Sequence, residues 1–395
     1  MANNRVIYQS DALYASETVK STSTGSHAQL RRVQSANYSL TVNRQDVNQF
    51  GQLSRLEAII LETPTVSFDT SYLLGDGFNE QALSFANSQK FNKGFISGQI
   101  ESTSGKNLYV VSAREGVDIN TLTTDANNNF STIGVGNAFL TDYTVEASVG
   151  SLPTVTVSFE GTNMNATSNV SGSINGFSGI SGAGIDPTDG TVLAEFLYSA
   201  QDEGGDLPFT GVSFPPPSQG IGAGIPTALR PGDIDISLAN ANEDTIVNIT
   251  GNNDSAHVQS ISLSIPMSRT PIERLGTKFA YARVVDFPIV PTLSVSAIVN
   301  ETQTRALTNI INEDDFIGEL QITFKDSDAA NTPRASYKMK NLKLDSESFS
   351  SSIGPNKAVD LTFSLSIGGP SDLTNNIFFS GSNTTRVMAN ETFTT

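Results

Sequence analysis

The 395-residue chain contains no cysteine, no tryptophan and only two histidines, His27 and His257. Without cysteine there is no disulfide, no thiolate metal site and no cysteine nucleophile. With two histidines and no G-x-S-x-G around any serine, a hydrolytic triad has almost nothing to be built from. A carboxylate pair for glycoside hydrolysis lacks the tryptophans that usually form a sugar-binding groove. Positive charge is also scarce: 23 Lys and Arg face 40 Asp and Glu, a net charge of −17 at pH 7. Sequence-specific DNA binding requires basic patches, so that class is excluded. No stretch approaches the ~18 uninterrupted apolar residues of a membrane-spanning helix. "MANNRVIYQSDALYAS" has no charged start followed by an apolar segment, so Sec export is not expected.

What is present favours β-structure. Hydrophobic residues make up 37% of the chain and aromatics 8%, enough for packed cores, and Ser, Thr, Asn and Gly fill much of the rest. The length suggests more than one domain. Residues 1–32 are polar and read as an N-terminal arm. From Val33 the pattern alternates, with Tyr38, Leu40 and Val42 set against Ser39, Thr41 and Asn43, the period of a half-buried strand. "RQDVNQFG" reads as a loop, "TVSFDTSY" as a strand, and "FISGQIES" with "NLYVVSA" as a hairpin turning at Thr103–Lys106. Tyr143–Ala147 and Thr154–Phe159 are further strands. Residues 162–230 are Gly-, Ser- and Pro-rich and read as a linker or surface insertion. "ETQTRALTNIINEDDF" is the best helix candidate, although acids at its C-terminus oppose the helix dipole.

The most informative feature is a repeat. "VQSANYSLTVNRQDVNQFG" (Val33–Gly51) returns without a gap as "VQSISLSIPMSRTPIERLG" (Val258–Gly276). Identities fall at Val33/Val258, Gln34/Gln259, Ser35/Ser260, Ser39/Ser264, Arg44/Arg269 and Gly51/Gly276. Later segments echo in the same order, "PTVSFDTSY" by "PTLSVSAIV" with a two-residue shift, and "VTVSF" (155–159) by "LTFSL" (361–365). The two histidines do not match in the repeat. Two copies are too few for a solenoid, which needs about three. They suit two positions in a closed ring, where strand addition between copies would use up exposed sheet edges. The resulting organisation is an arm at 1–32, a β domain at 33–161, the insertion at 162–230 and a second β domain at 231–395.

The order of "VQSANYSLTVNRQDVNQFGQLSRLEAIILETPTVSFDTSYLLGDG", "NLYVVSAREGVDINTL" and "IGVGNAFLTDYTVEASVGSLPTVTVSFEG" resembles the major tail tube proteins of tailed bacteriophages. That resemblance implies a mainly β chain of two tandem tube-type β-sandwich domains, each with at most one short helix. It also implies stacked trimeric, pseudo-sixfold rings around a channel for DNA. The chain would then be a non-enzymatic virion protein, assembled in the host cytoplasm, whose partners are its own copies and other tail proteins, with no membrane partner. DNA would pass through transiently, and a negatively charged wall would repel phosphate. The insertion departs from the family pattern. The alternative is another phage β-structural component, such as a tail-tip, decoration or fibre protein.

Chemical candidates are weak beside this. "GIGAGIPT" (220–227) lacks a phosphate-loop spacing. The acid groups Asp76, Asn79 and Glu80, then Asp186 and Asp189, then Asn312–Asp315, are not calcium loops and read as polar turns. No cofactor, metal or catalytic residue is expected. Attention instead falls on the loop and its echo: Arg44, Asp46, Phe50 and Gly51, matched by Arg269, Glu273, Leu275 and Gly276. As an interface, the arginines would pair carboxylates on a neighbour and Phe50 or Leu275 would be the apolar anchor. As ordinary structure, Phe50 or Leu275 would tuck back into its own core. Asp46 becomes Pro271 in the second copy, so a salt bridge through that acid is not duplicated.

Overall fold

The computed structural model describes residues 11–17, 27–60, 65–85, 93–102, 105–113, 129–161, 163–171, 229, 234–240, 246–248, 257–272, 275, 282–298, 318–325, 333–350 and 358–381. The chain is mainly β, with large antiparallel sheets and very few helices. The first unit runs β1 (Asp11–Glu17), β2 (His27–Gln29), β3 (Val33–Thr41), β4 (Arg44–Val47), β5 (Glu57–Ile60) and β6 (Thr65–Leu73). Two one-turn helices follow, α1 (Phe78–Ala82) and α2 (Ser97–Glu101), then β7 (Lys106–Ala113), β8 (Asn129–Ser148), β9 (Thr154–Gly161) and β10 (Asn163–Ser171). The second unit runs β11 (Ile234–Asn240), β12 (Ile246–Asn248), β13 (His257–Pro266), β14 (Arg269–Ile272) and β15 (Ala282–Val285). It continues with β16 (Thr292–Ile298), β17 (Gly318–Lys325), β18 (Pro333–Ser350), β19 (Ala358–Ser364) and β20 (Ile377–Gly381).

The pairing scheme is written twice. In the first unit β1 pairs β2 and β7, β8 pairs β7, β9 and β10, β6 pairs β3 and β9, and β4 pairs β5. Every one of these has its counterpart among β11–β20. Irregularities repeat as well. Register shifts fall between Val33 and Ser35 and between Val258 and Ser260. They recur between Leu140 and Asp142 and between Leu344 and Ser346. Asn137 and Asn341 both take positive φ, 53° and 61°, where β8 and β18 pass from one sheet to the next. Asparagine tolerates this left-handed conformation better than most residues.

That passage explains why β8 and β18 are so long. The first part of β8 pairs β7 and β10; its second part pairs β9. The other edge of this second part is taken by β13, from Asp142↔Pro266 to Ser148↔Ser260. The joint is extended by Met267 N donating to Thr141 O at 2.8 Å and Val149 N donating to Gln259 O at 2.9 Å. One sheet therefore runs β3-β6-β9-β8-β13-β16-β19-β18 through both units. Its buried side carries Val66, Phe68 and Tyr72, then Val155, Val157 and Phe159, then Leu263, Leu293 and Phe363, all in one hydrophobic core. Apolar residues at alternate positions put that core on one face only.

Several sequence expectations change. Part of the 1–32 arm is β1, whose Ala12, Leu13, Tyr14 and Ala15 are buried; seven polar-flanked residues gain their order from β7 beside them. "FISGQIES" is not a hairpin strand but α2 and its entry. Phe95 stacks on Phe85 (centroids 4.9 Å) and meets Tyr143, Tyr337 and Phe379, and this aromatic cluster selects the turn over extended pairing. "RQDV" is not loop but strand β4, completed by pairing with β5. The later echoes keep register where the sequence reading shifted them. Ser67 and Thr292 are equivalent through their partners Ser39 and Ser264, and Phe159 corresponds to Phe363 rather than Leu365. Within 162–230, Asn163–Ser171 is β10 on the edge of β8. "TVLAEFLYSA", the helix candidate at 301–316 and the acids Asp186, Asp189 and Asn312–Asp315 lie outside the described residues.

Candidate assembly surfaces

Three surfaces stand out, and the repeat generates all of them. The first is the open face of the long sheet. Alternation places Ser35, Asn37, Ser39 and Thr41 of β3 beside Thr65, Ser67, Asp69 and Ser71 of β6. The same side continues through Thr156, Ser158, Asp142, Thr144 and Glu146 to Ser262, Ser264, Ser294, Ser296, Asp360 and Thr362. Hydroxyls bond one another across strands: Ser39 and Ser67 Oγ lie 2.6 Å apart, and Ser35 and Ser71 Oγ 2.5 Å apart. Thr144 Oγ1 donates to Asp142 Oδ2 at 2.8 Å, and Ser264 Oγ reaches Asp142 Oδ1 at 3.3 Å. Among the described residues facing this side within the strands, the one basic side chain is Lys343, at the margin beside Ser364. Glu160, near the opposite margin, is held by Arg283 at 2.8 Å. A face of short hydroxyls and unopposed carboxylates offers phosphate nothing to grip.

The second surface is a pair of hairpins. β4 and β5 carry Val47 and Ile59 on their exposed stem and Phe50, Leu53 and Leu56 at or near the tip, with Phe50 103% and Leu53 111% exposed. Gly51 turns the tip at φ 92°, a conformation that side-chain-bearing residues rarely adopt. β14 and β15 repeat the arrangement, with Leu275 103% exposed and Ile272 and Val284 half-exposed. Neither Phe50 nor Leu275 tucks into its own core. Asp46 is bound within its own hairpin by Arg55, Nη1 to Oδ1 at 3.0 Å. Glu273 and Gly276 lie outside the described residues. Sequence reasoning chose Phe50 but missed Leu53 and Leu56; the signal was "FGQLSRLEAII", apolar residues with neither strand nor helix period.

Arg44 and Arg269 occupy equivalent positions in different surroundings. Arg44 is exposed and has no hydrogen bond or ion pair among the described residues. The Arg269 guanidinium donates to Gln99 O of α2, donates to Arg283 O at 3.3 Å, and sits 4.8 Å over the Phe139 ring. It bonds carbonyls of the structure around it rather than a carboxylate. Burial, with Arg283 nearby, lowers its pKa to about 10. Gln99 and Phe139 belong to the first unit, so Arg269 helps fasten one unit to the other.

The third surface is that inter-unit joint, with a buried polar cluster beside it. Glu80 Oε1 accepts from Tyr72 OH at 2.9 Å and from Tyr143 OH at 3.2 Å, and Tyr143 and Tyr337 hydroxyls lie 2.7 Å apart. All four side chains are buried. Desolvation raises the Glu80 pKa above the usual carboxylate range and the three tyrosine pKa values well above theirs. Asp76 and Asn79 are likewise occupied, Asp76 with Arg31 at 3.6 Å and Asn79 with both backbone groups of Arg31. The "GDGFNE" acids thus serve local structure.

No sequence family matches the chain, nor does any curated protein. Among solved structures it is similar to a chain in the tail of an empty GTA particle with C6 symmetry, at 14% identity and TM-score 0.26, covering 36% of this chain and 96% of that one. A chain of the anti-feeding prophage tube-terminating cap is similar at 11% identity and TM-score 0.27, covering 40% and 95%. An Hcp protein is similar at 8% identity and TM-score 0.22, covering 36% and 96%.

Proposed function

We propose that the chain is a structural, non-enzymatic subunit of a phage tail tube, in which three chains close a pseudo-sixfold ring and rings stack around a channel for DNA. The observation that carries this reading is the β8–β13 joint: two copies of one fold meet edge to edge, in one continuous sheet, inside one chain. A chain that supplies two equivalent positions and leaves one β3 edge open extends by the same operation until it closes, and closure satisfies every joint. The sequence resemblance to tail tube proteins supports the same assignment.

In this arrangement the open hydroxyl-and-carboxylate face lines the channel, where fixed negative charge keeps DNA from adhering. The hairpins with Phe50 and Leu275 at their tips dock on the adjacent ring, burying apolar side chains that otherwise stand in water. Arg44, Asp46, Gly51, Glu273 and Gly276 belong to or flank these contacts. The protein is placed in the virion tail, with other tail proteins capping the stack. Negative-stain microscopy of purified protein tests the reading: hollow rods or rings of uniform width are expected without any substrate, and a protein that stays monomeric at high concentration refutes it.

A further inference from the structure

The repeat fixes more than the existence of a ring. We propose that β3 of one chain binds the second half of β18 of a second copy as adjacent antiparallel strands, with Ser39 opposite Ser348 and Tyr38 opposite Phe349. This inference rests on the ring reading and specifies how one chain holds the next.

Within the chain, β13 lies between β16 and the second half of β8. β3, its equivalent, pairs β6 on one edge and has no strand on the other among the described residues. Likewise the second half of β8 lies between β9 and β13, whereas the second half of β18 pairs β19 alone. The single chain thus displays one joint formed and the two halves of the same joint unformed.

The register follows from pairings already described. Ser264 faces Thr144 and Leu263 faces Val145. Through their partners, Ser264 corresponds to Ser39 and Leu263 to Tyr38. On the other strand, Thr144 corresponds to Ser348 and Val145 to Phe349. The bond from Met267 N to Thr141 O has its counterpart in Val42 N and Asp345 O.

Exposure marks the same residues independently. Leu263 and Val145 are each 2% exposed at the formed joint. Their equivalents Tyr38 and Phe349 are 45% and 57% exposed, large apolar side chains on unpaired edges. Unpaired strand edges with apolar residues are templates for another strand, and aromatic pairs directly across antiparallel strands stabilise them. Arg44, exposed where Arg269 is engaged by the neighbouring unit, agrees with a missing neighbour on this side.

The test uses the absence of native cysteine. Tyr38→Cys with Phe349→Cys, treated with a short bis-maleimide after assembly, is expected to give an interchain ladder ending at the covalent trimer. Ser39→Cys with Ser348→Cys, on the open face, is expected to behave alike. Tyr38→Cys with Ser348→Cys, whose side chains point to opposite faces, should cross-link at least tenfold less. Rings visible by microscopy with no interchain product at either matched pair would overturn the joint while leaving the ring reading intact. A product confined within single chains would also overturn it. A ladder that runs past the trimer without rings would support the joint and refute the closed ring.

Discussion

The hydroxyls of Tyr143 and Tyr337 lie 2.7 Å apart where the first unit meets the second, and Tyr143 also donates to the buried carboxyl of Glu80. The two units are therefore tied by a polar contact inside the core as well as by the β8–β13 ladder. A buried network of this kind is costly unless every member is satisfied.

Tyr337→Phe removes one hydroxyl from that network and leaves Tyr143 bonded to Glu80. A loss of about 1 kcal/mol is expected, the usual size for a neutral hydrogen bond. Glu80→Ala, which strips both Tyr72 and Tyr143 of their acceptor, should cost more, about 2–3 kcal/mol including the unmatched hydroxyls. Denaturant melts of the single and double variants check this, and the Tyr337 and Glu80 changes should be non-additive because they share Tyr143.

Glu80 also predicts a pH dependence. Its pKa is raised by burial, so the folded chain holds a proton that the unfolded chain releases. Stability from this group is fully present below the unfolded carboxylate value of about 4.3 and falls as pH rises toward the folded value. Glu80→Gln keeps the acceptor oxygen without the proton and should flatten that part of the profile. Thermal melts at a series of pH values, wild type against Glu80→Gln, measure the difference.

The equivalent arginines should behave differently. Arg269→Ala empties a site that bonds Gln99 and Arg283 and stacks on Phe139, and should destabilise the chain by about 2–3 kcal/mol. Arg44→Ala touches nothing among the described residues and should change melting by less than about 0.5 kcal/mol while weakening assembly. Equal melting losses in both variants would show that the repeat does not create one formed and one unformed contact.

Hairpin-tip variants separate stacking from folding. Phe50→Ser with Leu53→Ser alters side chains fully in water, so the monomer's melting temperature should hold or rise slightly. Rods should shorten to isolated rings, seen by microscopy and by sedimentation. Long rods from this variant would remove the hairpin from the stacking contact.

Much of this was legible in the sequence, and the reasons differ by element. β3 and β13 were readable because hydrophobic alternation has the period of a strand and recurs at Val258 without a gap. The register of later echoes was not, because Ser- and Thr-rich strands such as "TVSFDTSY" and "TLSVSAI" match almost as well two residues out, and only hydrogen-bonded partners settle it. β1 hid in a polar arm because its order comes from β7, distant in sequence. α2 was misread because Phe95 is drawn into an aromatic cluster that no local pattern announces. Phe50 and Arg269 were chosen from the repeat, yet their fates, one in water and one engaged, depend on which neighbour each unit already has.

The most direct test of the central claim is the rotational symmetry of end-on particles by electron microscopy. The account predicts a hollow ring of six lobes contributed by three chains, with true threefold symmetry because the two units differ in detail. Solid particles, persistent monomers, or rings whose mass corresponds to six chains would contradict it.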